Sequence, residues 1–313
     1  MKMRKLIAFL LVMTMAATLF ITGCSKDDAA STSGSNSNFK VYLITMDKMD
    51  QHWVSVDKGA ADMAKIAGIA YKWDAPDKKD NAKQIECVNN AVADGANLIL
   101  LAANDPVAIS TAVADAKAKG VKIIYVDSPA NEAAIATLST DNTGAGKTAG
   151  ETLLKELDAA GKTSGTIGII GVNTATNSTM SREAGFRGAI EADGRFTLLT
   201  SEYKDGDAAA SQESAAGFIT GNADLVGLFG TNEGSTVGVG NAIKANNGGV
   251  IGVGFDKSDA IQDLLNDGSL KAAMAQNPYT MGYLGMAQAV AALNGYSTGP
   301  ATIDTGVAVL AKK

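Results

Sequence analysis

Two stretches of the chain end an apolar run in an amide followed by an acid. Leu98-Ile99-Leu100-Leu101-Ala102-Ala103 leads into Asn104-Asp105, and Val226-Gly227-Leu228-Phe229-Gly230-Thr231 leads into Asn232-Glu233. Beyond each, a second apolar run ends in one acid, Asp127 after Ile123-Ile124-Tyr125-Val126 and Asp256 after Ile251-Gly252-Val253-Gly254-Phe255. The amide-to-acid spacing agrees in the two halves to within a residue. Carboxylates accept hydrogen bonds and amides both accept and donate, so a cleft lined by these groups suits a ligand rich in hydroxyls. Asp and Asn after a strand also serve as helix caps and turn formers. Their repetition in both halves points to function, and to two similar domains in one chain.

Asp50-Gln51-His52-Trp53 places a carboxylate, an amide, an imidazole and an indole after the first apolar run. An aromatic there can lie against the C–H face of a sugar ring; equally, Trp53 can be a core anchor of the helix it opens. Trp73 reads as a packing residue.

The elements that must carry these groups follow from hydropathy. Short, nearly continuous β-rich runs alternate with segments of helical period, the pattern of parallel strands buried on both faces. Strands are expected at Val41 to Thr45, Ala70 to Trp73, Leu98 to Ala102, Lys122 to Val126 and Ala136 to Ser139. A second set is expected at Thr166 to Gly171, Thr197 to Tyr203, Leu225 to Phe229, Val250 to Phe255 and Lys271 to Ala275. Val56, Ala60, Met63 and Ala67 recur at helical spacing, as do Ile109, Ala112, Val113 and Ala116, with Pro106 suited to a first helical turn and Gly120 to a stop. Such alternation builds doubly wound α/β domains, whose ligands bind beyond the carboxyl ends of the strands, where the Asn and Asp residues fall.

Other motifs resolve to plainer readings. Asp141-Asn142-Thr143-Gly144-Ala145-Gly146-Lys147-Thr148 ends like a phosphate-binding loop, but Asp141 stands where that loop needs glycine. A helix start capped by Asp141 or Asn142, with Lys147 outward, fits better. His52 is the only histidine, which excludes multi-histidine metal sites, and no metal or other cofactor is expected. No Gly-x-Ser-x-Gly elbow occurs. Asn177-Ser178-Thr179 fits a glycosylation sequon and is read as a loop and helix start.

The chain has 313 residues, 33 acidic and 27 basic side chains and a net charge of −6. Its length suits two domains, and its acidity argues against a nucleic-acid partner. Lys2, Arg4 and Lys5 precede an apolar run from Leu6 to Ile21, a secretory signal pattern spanning residues 1–23. Ile21-Thr22-Gly23-Cys24 resembles the bacterial lipobox, which implies acylation of Cys24 and lipid as the only anchor. Residues 24–38 are almost devoid of apolar side chains and read as a flexible tether. Cys87 is then left without a partner and is read as small core filler.

The ordered set Trp53-Val54-Ser55-Val56-Asp57-Lys58-Gly59-Ala60, Val126-Asp127, Arg182-Glu183-Ala184-Gly185-Phe186, Thr231-Asn232-Glu233, Val253-Gly254-Phe255-Asp256 and Ala275-Gln276 resembles the periplasmic ribose-binding-protein family of pentose and hexose solute-binding proteins of ABC importers. The resemblance runs from Phe39 to Lys313. It implies the type I periplasmic binding protein fold, two doubly wound parallel-sheet lobes joined by a three-strand hinge. Residues 39–140 plus 277–303 form one lobe and 141–276 plus 304–313 the other, with crossings near Thr140-Asp141, after Gln276 and near Asp304. Carried over by position, the ligand-binding residues are Asp50, His52, Trp53, Asp127, Arg182, Asn232, Asp256 and Gln276. Arg182 offers a rigid fork of donors and has a plain alternative as a surface arginine.

This chain departs from the family pattern at several positions. Ser128 replaces an arginine after the strand-end acid, Asn104 substitutes for an amide that falls on Ala102, and a second-lobe aromatic falls near Gly206. A first-helix aromatic pair has become His52 and Trp53. These departures make room for a larger or differently substituted sugar. The expected function is an extracytoplasmic, lipid-anchored, monomeric protein that captures a monosaccharide by hinge closure and delivers it to a membrane permease, without catalysis. Three alternatives are a glycosidase-like enzyme using Asp127 and Asp256, the effector-binding core of a sugar-responsive repressor, and a sugar sensor docking on a receptor. The repressor lacks a helix-turn-helix segment.

Overall fold

A computed structural model describes residues 36–247 and 249–312. The signal segment, Cys24 and all of the tether before Asn36 lie outside the described residues. The end of the tether is tied down: Asn36–Asn38 forms one 3-10 turn, Asn36 Nδ2 donates to the Ala67 carbonyl at 3.0 Å, and Asn294 Nδ2 donates to Asn36 Oδ1 at 2.9 Å. The expectation of a free tether as far as residue 38 is corrected accordingly.

The first sheet contains β1 (Lys40–Ile44), β2 (Ala70–Asp74), β3 (Leu98–Leu101), β4 (Lys122–Val126), β5 (Thr137–Ser139) and β12 (Thr302–Asp304), in the order β12-β5-β4-β3-β1-β2. The second contains β6 (Gly165–Gly171), β7 (Phe196–Leu198), β9 (Leu225–Gly230), β10 (Ile251–Phe255), β11 (Ala272–Gln276) and β13 (Val307–Ala311), in the order β13-β11-β10-β9-β6-β7, and β8 (Glu202–Tyr203) also pairs with β6. Each strand order reverses beside the lobe's first strand, the arrangement of doubly wound sheets. All pairings are parallel except that of β13 with β11.

Each sheet is buried on both faces, which is why its strands read as unbroken apolar runs. Val41 and Leu43 pack under α1 (Gln51–Ala67) and α9 (Pro278–Leu293). Tyr42 and Ile44 pack on the other face against Val88 of α2 (Asn81–Ala93) and Val113 of α3 (Ser110–Ala118). In the second lobe, Ile167 and Ile169 meet α4 (Asn142–Ala159) and α5 (Asn177–Asp193). Ile170 and Leu228 meet α6 (Ala208–Gly221), α7 (Glu233–Ala245) and α8 (Asp259–Asp267). Cys87 is core filler beside Val88, and burial, helped by Asp74, pushes its thiol up to about 11.

Glycine sets the approach of two helix pairs. A Cβ on Gly59 or Gly282 would collide with backbone of the facing helix in the α1–α9 pair, and one on Gly146 or Gly185 would do so in the α4–α5 pair. Gly146 faces the backbone of Arg182, so this contact fixes the height at which Arg182 leaves α5.

Two expectations are corrected, and two strands go beyond those expected. Thr197 to Tyr203 is two short strands, because Ser201 turns aside to donate from Oγ to Glu183 Oε1 at 2.6 Å and to accept from Arg187 Nη2 at 2.7 Å. Pro106 precedes α3: Asp105 Oδ1 accepts from the amides of Val107 and Ala108 and holds a turn there. Strands β12 and β13 carry no periodic signal at the sequence level, being short edge strands with at least one exposed residue each.

The chain passes between the sheets after β5, after β11 and after β12. These crossings are laced together. Thr140 Oγ1 donates to Gln276 Oε1 at 3.0 Å, Asn277 Nδ2 donates to the Thr305 carbonyl at 2.7 Å, and the Asp141 amide donates to Asp304 Oδ1 at 3.1 Å.

Candidate functional site

The carboxyl ends of the two sheets face each other and enclose a small cavity of about 20 Å³. Its wall holds eight residues expected at the site: Asp50, His52, Trp53, Asp127, Arg182, Asn232, Asp256 and Gln276. It also holds Lys79, Thr176, Ser178 and Thr179.

Asp127 and Asp256 are structural counterparts. Each follows its strand with a left-handed backbone, at φ 63° and 74°, a conformation costly for a residue with a Cβ. The Asp127 amide donates to Leu138 in the next strand at 2.8 Å, and that of Asp256 to Met274 at 2.9 Å. The turn thus aims both carboxyls into the gap instead of continuing the strand.

His52 stands between them. Its Nε2 lies 3.2 Å from Asp127 Oδ2 and its Nδ1 3.6 Å from Asp256 Oδ1, both at ion-pair distance. Burial acts to lower the imidazole's proton affinity, but the two carboxylates prevail and push it up to about 10. Reciprocally, burial acts to raise both carboxyls, and His52 and Arg182 hold Asp127 below the usual range and Asp256 at about 2, Gln276 adding to the latter.

Arg182 is no surface arginine: it is 2% exposed, with its guanidinium over the Phe255 ring at 4.3 Å. Its Nε donates to Asn142 Oδ1 at 2.8 Å and its Nη1 to the Thr231 carbonyl at 3.0 Å. Nη2 lies 3.7 Å from Asp127 Oδ2 and has no hydrogen-bond partner among the described residues. Gln276, at the end of β11, donates from Nε2 to Asp256 Oδ1 at 2.6 Å.

Asn232 combines its two anticipated roles. Its Oδ1 accepts from the Ser235 amide at 3.1 Å as the cap of α7, and its Nδ2 reaches Asp50 Oδ2 at 3.4 Å across the gap. Trp53 likewise packs in the first lobe's core while its Nε1 donates to Asp47 Oδ2 at 3.3 Å. It meets the His52 ring edge-on at 4.6 Å.

Asn104 and Ser128 are buried but stand outside the cavity wall. Gln84 Oε1 holds the Asn104 amide at 3.0 Å, and Asn104 Nδ2 donates to Asn81 at the start of α2. Both residues sit on the seam between lobes: the Asn104 carbonyl accepts from Thr176 Oγ1 at 2.7 Å, and Ser128 Oγ accepts from the Ser178 amide at 3.3 Å.

Lys79 and Asp47 carry no signal in the sequence, and Glu233 enters there only as the acid that follows Asn232. Lys79 pairs with Asp47 at 2.6 Å and Asp50 at 3.3 Å, and the two carboxylates raise its proton affinity against the effect of burial. Burial and the charges of Asp256 and Asp50 push Glu233 up to about 7, although its Oε2 accepts the His52 amide at 3.0 Å. The room expected at Gly206 is taken on one side by Lys79, whose Nζ would lie 3.0 Å from a Cβ there. Asp141 caps α4 through the Gly144 amide at 3.0 Å and Lys147 is exposed, the plain reading of that glycine-rich segment. Among the described residues, no cluster of three or more His, Cys, Asp or Glu side chains is arranged to hold a metal ion, and no helix is long and apolar enough to cross a membrane.

Two doubly wound lobes, three laced crossings and a polar gap between opposed strand ends define a two-lobed α/β binding protein. Residues 41–297 match the model of the periplasmic binding protein domain, and the chain belongs to that family. It is 26% identical to the ribose import binding protein of Bacillus subtilis (strain 168) over 288 residues, covering 90% of this chain and 91% of that one. The ribose import binding protein of Haemophilus influenzae is 28% identical, with 85% and 89% covered. A carbohydrate transporter solute-binding protein from Agrobacterium radiobacter, solved with D-arabinose, superposes with a TM-score of 0.84 at 30% identity, covering 88% of this chain and 94% of that one. An ABC transporter solute-binding protein from Agrobacterium vitis with bound D-fucose gives 0.81 at 28% identity, covering 87% and 95%.

Proposed function

We propose that the protein captures a monosaccharide, a pentose or hexose, between its lobes and delivers it to the permease of an ABC importer. The observation that carries this reading is the meeting of buried polar groups from both lobes in the gap, His52 and Asp127 from one and Arg182, Asn232 and Asp256 from the other, with Nη2 of Arg182 lacking a hydrogen-bond partner among the described residues. A polyhydroxylated ring, whose hydroxyls both donate and accept, supplies partners to such a mixed set of groups. Asp127, Asp256 and Asp50 accept from hydroxyls, Arg182 donates, and Asn232 and Gln276 do both.

The closed gap, about 20 Å³, is too small for a sugar ring, so a ring is admitted only when the lobes part. Sugar contacts both lobes only when they close again, and that differential affinity draws the equilibrium toward the shut form. No bond need break. A glycosidase acid must keep its proton near neutral pH, whereas Asp127 and Asp256 are both held ionised, which supports binding over hydrolysis.

The N-terminal pattern supports export, acylation at Cys24 and an extracytoplasmic position on the membrane, with the protein acting as a monomer. The two lobes are residues 39–140 with 277–303 and 141–276 with 304–313, save that Asp304 itself ends β12 of the first sheet. Calorimetric titration of the full chain with D-ribose, D-arabinose and D-fucose tests the function. Saturable one-to-one binding with no product formed is expected; absence of binding to any pentose or hexose, or turnover of a glycoside, refutes it.

A further inference from the structure

The charges that meet in the gap do not balance. The first lobe brings the carboxyls of Asp47, Asp50 and Asp127 against Lys79 and His52, and the second brings those of Asp256 and Glu233 against Arg182. Each lobe presents more carboxyls than cations even with His52 protonated, and parting the lobes to admit a ring leaves that excess on both. Neighbouring residues do not make it up. Lys78 is paired with Asp207, Lys204 with Glu202 and Arg187 with Glu183, and Lys257 is exposed. Asp205 adds a further acid beside Lys204.

The excess gathers at one corner. Lys79 lies 2.6 Å from Asp47 and 3.3 Å from Asp50, and Arg182 lies 3.7 Å from Asp127, so both lasting cations stand toward acids of the first lobe. Glu233 accepts the His52 amide and pairs with no cation among the described residues. Burial and the charges of Asp256 and Asp50 push Glu233 up to about 7, and burial with the charges of Asp47 and Asp256 raises Asp50 in spite of Lys79. Carboxyls that keep their protons because of one another mark a place where a cation is favoured. They are not arranged to hold a metal ion, whereas an ammonium brings three donors of its own.

A second, independent feature faces the same gap. Arg182 is 2% exposed, and its Nη2 has no hydrogen-bond partner among the described residues. A donor buried in this way calls for an acceptor oxygen. The surrounding carboxylates repel an anion, so the acceptor that fits is a neutral hydroxyl. One molecule that answers both features carries an amine and hydroxyls on the same frame.

We infer that the ligand is an amino sugar, whose protonated amine lies among Asp50, Asp256 and Glu233 and one of whose hydroxyls accepts from Nη2 of Arg182. This rests on the monosaccharide-binding reading and names the class of sugar that the same site takes.

The test is calorimetric titration of the full chain at pH 7 with D-glucosamine and D-galactosamine, each beside its neutral parent, its N-acetyl form and the matching uronic acid. D-ribose, D-arabinose and D-fucose complete the set. At least one amino sugar should bind about ten-fold or more tighter than its neutral parent, N-acetylation should remove that gain, and the uronic acids should bind weakest. Glu233→Gln should cut the ratio of amino-sugar to parent affinity several-fold, and the binding that remains shows that the variant is folded. Should Glu233→Gln fail to fold, Asp50→Asn should cut the same ratio. Amino sugars that bind no tighter than neutral ones, a gain that survives N-acetylation, or a ratio untouched by the substitution would each overturn this inference, and binding of any neutral sugar would leave monosaccharide capture standing. Failure of every compound to bind would instead remove both.

Discussion

His52, on the first lobe, presents Nδ1 to Oδ1 of Asp256, on the second, across 3.6 Å of the gap. The same ring faces Asp127 of its own lobe, so the shut form places one proton-binding group between two carboxylates. Closure is therefore linked to pH. A group whose affinity for protons rises on folding stabilises the fold fully below its ordinary value and loses that effect as pH climbs through the raised one. For His52 the window is from about 6.5 to about 10. The unfolding midpoint of the wild type should fall across that window relative to His52→Gln, as measured by thermal melts in a pH series. Parallel curves for the two proteins would contradict the assignment.

Glu233 has the opposite chemistry and the same sign. Its carboxyl is raised from 4.5 to about 7, so the folded form binds more protons in that interval and stability declines as pH rises through it. Glu233→Gln keeps an acceptor for the His52 amide and removes the charge. The variant should be more stable than wild type at pH 8, by on the order of 1–3 kcal/mol, and indistinguishable at pH 4, as read by urea denaturation.

Arg182→Met keeps much of the volume and removes the cation facing Asp127 and the donors to Asn142 and Thr231. Losing one partner of a buried pair costs about 3–5 kcal/mol. Asp127→Asn in the same chain should recover part of that cost, because His52 then faces one buried carboxylate, Asp256, instead of two with no second cation. Denaturant titrations of the two single variants and the double variant measure the coupling, and strictly additive losses would show that the two groups do not interact.

Gly146→Ala pushes a methyl group into the backbone at Arg182. Overpacking of this kind costs about 1–3 kcal/mol. Because the displaced segment carries Arg182, affinity for the best sugar should drop as well, whereas Gly188→Ala, on open surface of α5, should leave affinity unchanged and raise stability by about 0.5–1 kcal/mol. Equal effects of the two substitutions would dissociate the helix contact from the site.

Much of the site was legible because it is written twice. Asp127 and Asp256 each end an apolar run, and any doubly wound domain presents such residues at its strand tips. Arg182 could be placed only by resemblance: nothing local distinguishes a buried arginine from an exposed one in Ser181-Arg182-Glu183. Lys79 escaped notice because Asp77-Lys78-Lys79-Asp80 has the composition of a solvated charge run. Lys78 is indeed exposed, and only the tertiary meeting with Asp47 and Asp50 buries its neighbour. Asn104 has the type and spacing of a ligand contact, but Gln84 holds its backbone amide and Asn81 its Nδ2, a competition between α2 and the gap that spacing does not encode. Strand β12 is three residues long, too short to show a period, and exists because β5 offers it an edge.

The three crossings are stitched to one another through Thr140, Gln276, Asn277, Thr305, Asp141 and Asp304. A spine bound at three threads lets two covers swing yet resists their sliding or twisting past each other. Each time the book shuts, the same pages meet, and a guest is judged against one fixed imprint.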